Sequence, residues 1–122
     1  MELQAFAKEI RYYTLKELNN IGYGHYGGAL SIVETLAVLY GKYMKVNPLD
    51  PKDTNRDYFV LSKGHAGPAY YATLALKGFF PLEKLMTLNA NGTRLPSHPD
   101  KNLVEGVDMT TGSLDRKSTR LN

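Results

Sequence analysis

The chain has no cysteine. Disulfides, cysteine-ligated zinc and thiolate nucleophiles are therefore excluded, and the composition fits a reducing compartment. No apolar run approaches the ~20 residues of a membrane-spanning helix. The N-terminus, Met1-Glu2-Leu3-Gln4-Ala5, is acidic early and lacks the basic-then-apolar order of a secretion signal, so a cytoplasmic location is expected. Internal repeats and low-complexity tracts are missing as well. Any excess of one charge sign is small: 15 basic against 12 acidic residues give a net charge of +3, and residues 115–122 hold three basic groups against one acid. The basic balance is therefore mostly a tail property and gives little support to nucleic-acid binding.

What remains is an ordinary globular composition. With 43% hydrophobic and 22% charged residues in 122, the chain can build one small core. Leu3, Phe6, Ile10, Thr14, Leu18 and Ile21 recur at three- and four-residue steps, with Lys8, Glu9, Lys16 and Glu17 between them; this predicts a helix over 2–21 that ends at Gly22. Residues 22–28 read as a glycine-rich loop. Ser31 and Glu34 have capping-box spacing ahead of a second helix whose apolar face is Leu36, Leu39, Tyr40 and Tyr43. Residues 45–57 form a polar loop punctuated by Pro48 and Pro51. Tyr58-Phe59-Val60-Leu61 reads as a short buried strand, parallel because helices flank it. Residues 66–77 form an alanine-rich helix stopped by Gly78, with Pro68 tolerated in its first turn. Pro81 opens a short helix through Leu88, and residues 89–108 read as loop. A single strand makes no sheet, so this order of elements predicts the opening part of a larger α/β domain.

The three histidines all lie in turn-like settings: Gly24-His25-Tyr26-Gly27-Gly28, Ser62-Lys63-Gly64-His65-Ala66 and Ser97-His98-Pro99. Glycine permits close approach of backbone and ligand, and imidazole donates, accepts or moves a proton near neutral pH. Together they suggest one polar site assembled from three loops. His65 leaves the predicted strand at the start of a helix, where ligands of α/β folds gather and free amides favour anions; it either caps that helix or contacts a phosphate. Pro99 biases His98 towards extended backbone, which projects its ring. Read singly, His25 and His98 are also compatible with surface loops, and Thr110-Thr111-Gly112-Ser113-Leu114 with a simple turn.

Taken in order, Gly24-His25-Tyr26-Gly27-Gly28, Arg56-Asp57-Tyr58-Phe59-Val60-Leu61-Ser62-Lys63-Gly64-His65, Ser97-His98-Pro99-Asp100 and Gly106-Val107-Asp108-Met109-Thr110-Thr111-Gly112-Ser113-Leu114 resemble the start of a transketolase, most closely the separate N-terminal subunit of the split type. The resemblance runs over residues 1–114. It implies a thiamin-diphosphate-binding fold, a parallel sheet flanked by helices and here truncated. It also implies transfer of a two-carbon ketol unit between sugar phosphates, in which the cofactor supplies the carbon–carbon bond chemistry. By this resemblance His65 contacts the cofactor diphosphate, Gly112, Ser113 and Leu114 contact the cofactor, and His25 and His98 line the substrate channel and assist proton movement. A divalent cation such as Mg²⁺, a C-terminal transketolase half or subunit, and a dimeric or heterotetrameric assembly are implied too.

Two departures stand out. Tyr26 replaces the family's proline after the first histidine, with consequences for the channel mouth or substrate preference. After Leu114 the family continues with Gly-Gln-Gly and a helix, whereas here Asp115-Arg116-Lys117-Ser118-Thr119-Arg120-Leu121-Asn122 follows. Residues 115–122 are accordingly expected to be a non-native tail. The family's metal-binding Gly-Asp-Gly segment and Asn, and the glutamate that activates the aminopyrimidine, lie beyond this sequence. The chain alone is expected to be inactive, and none of its residues is assigned to metal. The alternatives are a related thiamin-diphosphate enzyme such as deoxyxylulose-phosphate synthase, a three-histidine zinc hydrolase, and a non-catalytic basic binding module using Arg116, Lys117 and Arg120.

Overall fold

In the computed structural model, residues 2–22, 26–61, 66–88, 104 and 106–107 are described. Helix α1 spans Leu3–Ile21. Phe6, Ile10, Thr14 and Leu18 form its buried stripe, as their spacing predicts. It ends where Gly22 turns to φ 81° and donates its amide to Leu18 O at 2.9 Å. Glu17 departs from the expected polar face: it is fully buried.

The glycine-rich stretch 22–28 is not all loop. A short helix, α2, spans Tyr26–Leu30. Glycine disfavours helix, but Ala29 is completely enclosed, and packing outweighs propensity here. Ser31 does not cap the next helix: its amide bonds Gly27 O and its hydroxyl donates back to Gly28 O. Glu34 pairs instead with Arg11 of α1, so the predicted capping box is not formed.

Helix α3, Val33–Val38, runs directly into a π-helical turn, Leu39–Tyr43. Met44 donates its amide to Leu39 O at 2.7 Å, closing the wide turn. The wider turn rotates the chain out of the 3.6-residue register. Leu36 and Tyr40 stay buried, but Tyr43, predicted on the same apolar face, is exposed. The polar loop that follows is tied at its two ends. Asp57 donates its amide to Lys45 O at 2.8 Å, while its carboxylate accepts the Lys45 amide at 2.6 Å.

Tyr58–Leu61 pairs with no strand among the described residues. A strand is defined by its neighbour. The period-two pattern is nonetheless visible: Tyr58 and Val60 are exposed, Leu61 is buried and Phe59 is half-buried.

Helix α4, Gly67–Lys77, is the centre of the structure. Every residue from Gly67 to Ala75 is buried, and α1, α2, α3 and a 3-10 helix at Leu82–Thr87 all pack against it. Pro68 lies in its first turn and Gly78, at φ 99°, ends it, as predicted. Phe79, Phe80, Leu85, Leu88, Val104 and Val107 complete the core.

Candidate functional site

His25, His65, His98, Gly112, Ser113 and Leu114 lie outside the described residues, as does most of the predicted loop 89–108. What the structure places are the elements that hold the first two. His25 is followed immediately by α2, and His65 by Ala66 and α4. α2 packs against α4, and Ala29 and Ala66 are both completely buried. Chain segments about forty residues apart in sequence thus leave the same packed helix pair.

The start of α4 also suits an anion. Its N-cap position is Ala66, which offers no side chain to the first-turn amides. Those amides carry partial positive charge, and Ser62-Lys63-Gly64-His65, outside the described residues, precedes them in sequence. Free amides at a helix start are a donor set that an anion such as a diphosphate fits, although Pro68 in this first turn contributes none.

Sequence reasoning missed Glu17. Among the described residues neither of its carboxylate oxygens has a hydrogen-bond partner, and burial pushes the group well above the usual carboxylate range. A signal was present: Glu17 follows Ile10 by seven residues, two helical turns along the buried stripe. Among the described residues, no group of three or more histidine, aspartate or glutamate side chains could hold a metal ion. No described helix is long and apolar enough to cross a membrane. Among the described residues, surface cavities of about 350 Å³ and about 160 Å³ lie beside Ala5, Lys8, Glu9 and Tyr12 and beside Phe6, Gly41, Leu76 and Lys77 respectively.

The pattern defines a thiamine-diphosphate-binding domain: the family model described as "Transketolase, thiamine diphosphate binding domain" matches residues 3–118. The chain belongs to the transketolase family. It is 57% identical over 114 residues to the 6-deoxy-6-sulfo-D-fructose transketolase subunit SqwG of Clostridium sp. (strain MSTE9), covering 93% of this chain and 42% of that protein. It is 40% identical over 113 residues to the transketolase of Treponema pallidum (strain Nichols), covering 92% and 17%. Among solved structures, the transketolase from Leishmania mexicana superposes with a TM-score of 0.86 at 32% identity, over 92% of this chain and 17% of that one. The chain therefore spans less than half the length of these relatives. All three are transketolases or parts of one, which corrects the deoxyxylulose-phosphate synthase alternative.

Proposed function

We propose that this chain is the N-terminal, cofactor-binding part of a transketolase that moves a two-carbon ketol unit between sugar phosphates. It does so in complex with a C-terminal half or subunit, within a dimer or heterotetramer. The observation that carries this reading is the 57% identity, across 93% of the chain, to a transketolase subunit. Residues 1–114 form the native part and residues 115–122 a non-native tail. The enzyme is cytoplasmic and uses a divalent cation such as Mg²⁺, whose ligands come from polypeptide outside this sequence.

In this reading His65 holds the diphosphate, with the first-turn amides of α4 behind it. Gly112, Ser113 and Leu114 contact the cofactor, Leu114 through its apolar side chain. When bound, thiamin diphosphate supplies the electron sink that lets a ketose carbon–carbon bond break and re-form. His25 and His98 bind sugar hydroxyls and hold or deliver the proton that each half-reaction moves, a task suited to imidazole with its ordinary pKa near ~6.5. Like the sulfosugar in the name of the Clostridium relative, the donor ketose carries an anionic terminus.

The test is a ketol-transfer assay. Residues 1–114, continued with the rest of the N-terminal half, are co-expressed with the C-terminal partner and offered fructose 6-phosphate or 6-deoxy-6-sulfofructose with an aldose-phosphate acceptor. Cofactor-dependent transfer, with activity reduced at least a hundredfold in His25→Ala and His98→Ala, is the expected result. Absence of transfer with every ketose phosphate or sulfonate would reject the reading.

A further inference from the structure

A buried chain of hydroxyls links three separate parts of the molecule. Tyr70, on α4, donates its phenolic proton to Gly106 O at 3.3 Å. The carbonyl can only accept, so Tyr70 is the donor in that contact. The second contact, 3.4 Å between the Tyr40 and Tyr70 oxygens, therefore has Tyr40 as donor. Tyr70 and Tyr40 are both almost fully buried. Their rings form a triangle with Phe59, with centroids 5.1 Å apart for Phe59–Tyr70, 5.8 Å for Tyr40–Phe59 and 6.2 Å for Tyr40–Tyr70. The ring of Tyr70 is thus fixed on one side while its hydroxyl reaches Gly106.

Gly106 is itself closely held. Its φ is 95°, and a Cβ built there would stand 2.9 Å from Phe79 and 3.0 Å from Leu74. Val104 and Val107 on either side are buried, and the Val107 amide closes the turn on Val104 O at 3.3 Å. The turn lies directly on α4, with Tyr70 and Leu74 one helical turn apart beneath it.

Both ends of this cluster lead to residues assigned to the cofactor. Phe59 is six residues before His65, and Gly106 is six before Gly112. The geometry points to Tyr70 as a positioning residue for cofactor binding: one side chain sets the backbone from which both cofactor-contacting segments start. This inference rests on the proposed function above. Small misplacements of a binding group carry a large cost, so a hydroxyl at the base of both segments acts at a distance.

The experiment compares Tyr70→Phe, Tyr40→Phe and Thr73→Val in the complete N-terminal half joined to its partner, titrated with thiamin diphosphate at fixed Mg²⁺ and well below the melting temperature. Tyr70→Phe keeps the ring and removes the hydroxyl that bonds Gly106 O and accepts from Tyr40. It is expected to weaken cofactor binding roughly three- to tenfold, in line with a lost hydrogen bond. Tyr40→Phe is expected to shift affinity the same way by roughly two- to threefold, and it carries the test if Tyr70→Phe fails to assemble. Thr73→Val removes an equally buried hydroxyl that bonds only within α4, to Ala69 O at 2.9 Å. It is expected to lower the melting temperature and leave affinity unchanged. A lower melting temperature with unaltered affinity in Tyr70→Phe, or equal weakening in Thr73→Val, would overturn the positioning role alone. Failure of the wild-type assembly to bind thiamin diphosphate would instead remove the proposed function, and this inference with it.

Discussion

Helices α1 and α4 pack against each other yet solve different problems. α1 is a surface helix with one buried stripe, and Tyr12 and Leu15 on its outer face remain exposed. α4 is enclosed on all sides along Gly67–Ala75. Its buried hydroxyls are matched: Thr73 bonds Ala69 O, and Tyr70 bonds Gly106 O. α1 instead buries a carboxyl that has no partner among the described residues. The central helix has therefore met the requirement that buried polar groups be paired, while the outer helix violates it at one position. Such a violation is tolerable only if the group gives up its charge.

The largest effect should come from truncating the enclosed helix. Leu74→Ala is expected to cost about 2–5 kcal/mol in denaturant unfolding, because the site is fully buried and packed on every side. Leu15→Ala on the exposed face of α1 should change stability by less than about 0.5 kcal/mol. Similar costs at both positions would erase the distinction between the two helices.

Gly106→Ala comes next. A left-handed backbone costs a non-glycine residue about 1–2 kcal/mol, and the added methyl would press on Leu74 and Phe79. A loss of about 2 kcal/mol or more is expected; a neutral substitution would mean that the 104–107 turn is not seated on α4.

Glu17 sharpens the comparison through pH. Its folded pKa lies above the unfolded value, so the native state binds the extra proton. Stability is therefore greatest below the unfolded pKa and falls as pH rises from there towards the raised folded value. Glu17→Gln removes the titration but keeps the polar bulk, and should flatten this decline. Glu17→Leu should also stabilise at neutral pH, by about 1–2 kcal/mol. An unfolding series from pH 4 to pH 8 with parallel wild-type and Glu17→Gln curves would show that the carboxyl has found a partner.

The smallest effect is expected from the Arg11–Glu34 pair. Both side chains are largely exposed, at 42% and 67%. Replacing either by alanine should alter stability by about 0.5 kcal/mol or less, and added salt should shrink the difference further.

These contrasts also show what the sequence could and could not reveal. α1 and α4 were legible because a 3.6-residue period, a tolerated first-turn proline and a terminal glycine all act locally. Glu17 was not, since a charged residue on a helix is ordinarily solvated and only its seven-residue step from Ile10 hinted otherwise. α2 was hidden by glycines whose weak propensity is overridden by the burial of Ala29. The π turn at Leu39–Tyr43 has no local signature, and it carries Tyr43 away from the face its spacing assigned. Ser31 and Glu34 matched a capping box in spacing, but Arg11, twenty-three residues before Glu34, offered the carboxylate a better partner. The period-two pattern at Tyr58–Leu61 was readable, whereas its pairing depends on a strand elsewhere. For the site, the order of the four motifs carried the family assignment. The individual contacts of His25, His65, His98 and Gly112–Leu114 belong to residues outside those described.

Calorimetric titration of thiamin diphosphate with Mg²⁺ into the completed N-terminal half bound to its partner, comparing wild type with His65→Ala, tests the central claim most directly. The account predicts saturable binding to the wild type and at least a tenfold weaker affinity for the variant. Equal affinities, or no binding to either, would contradict it.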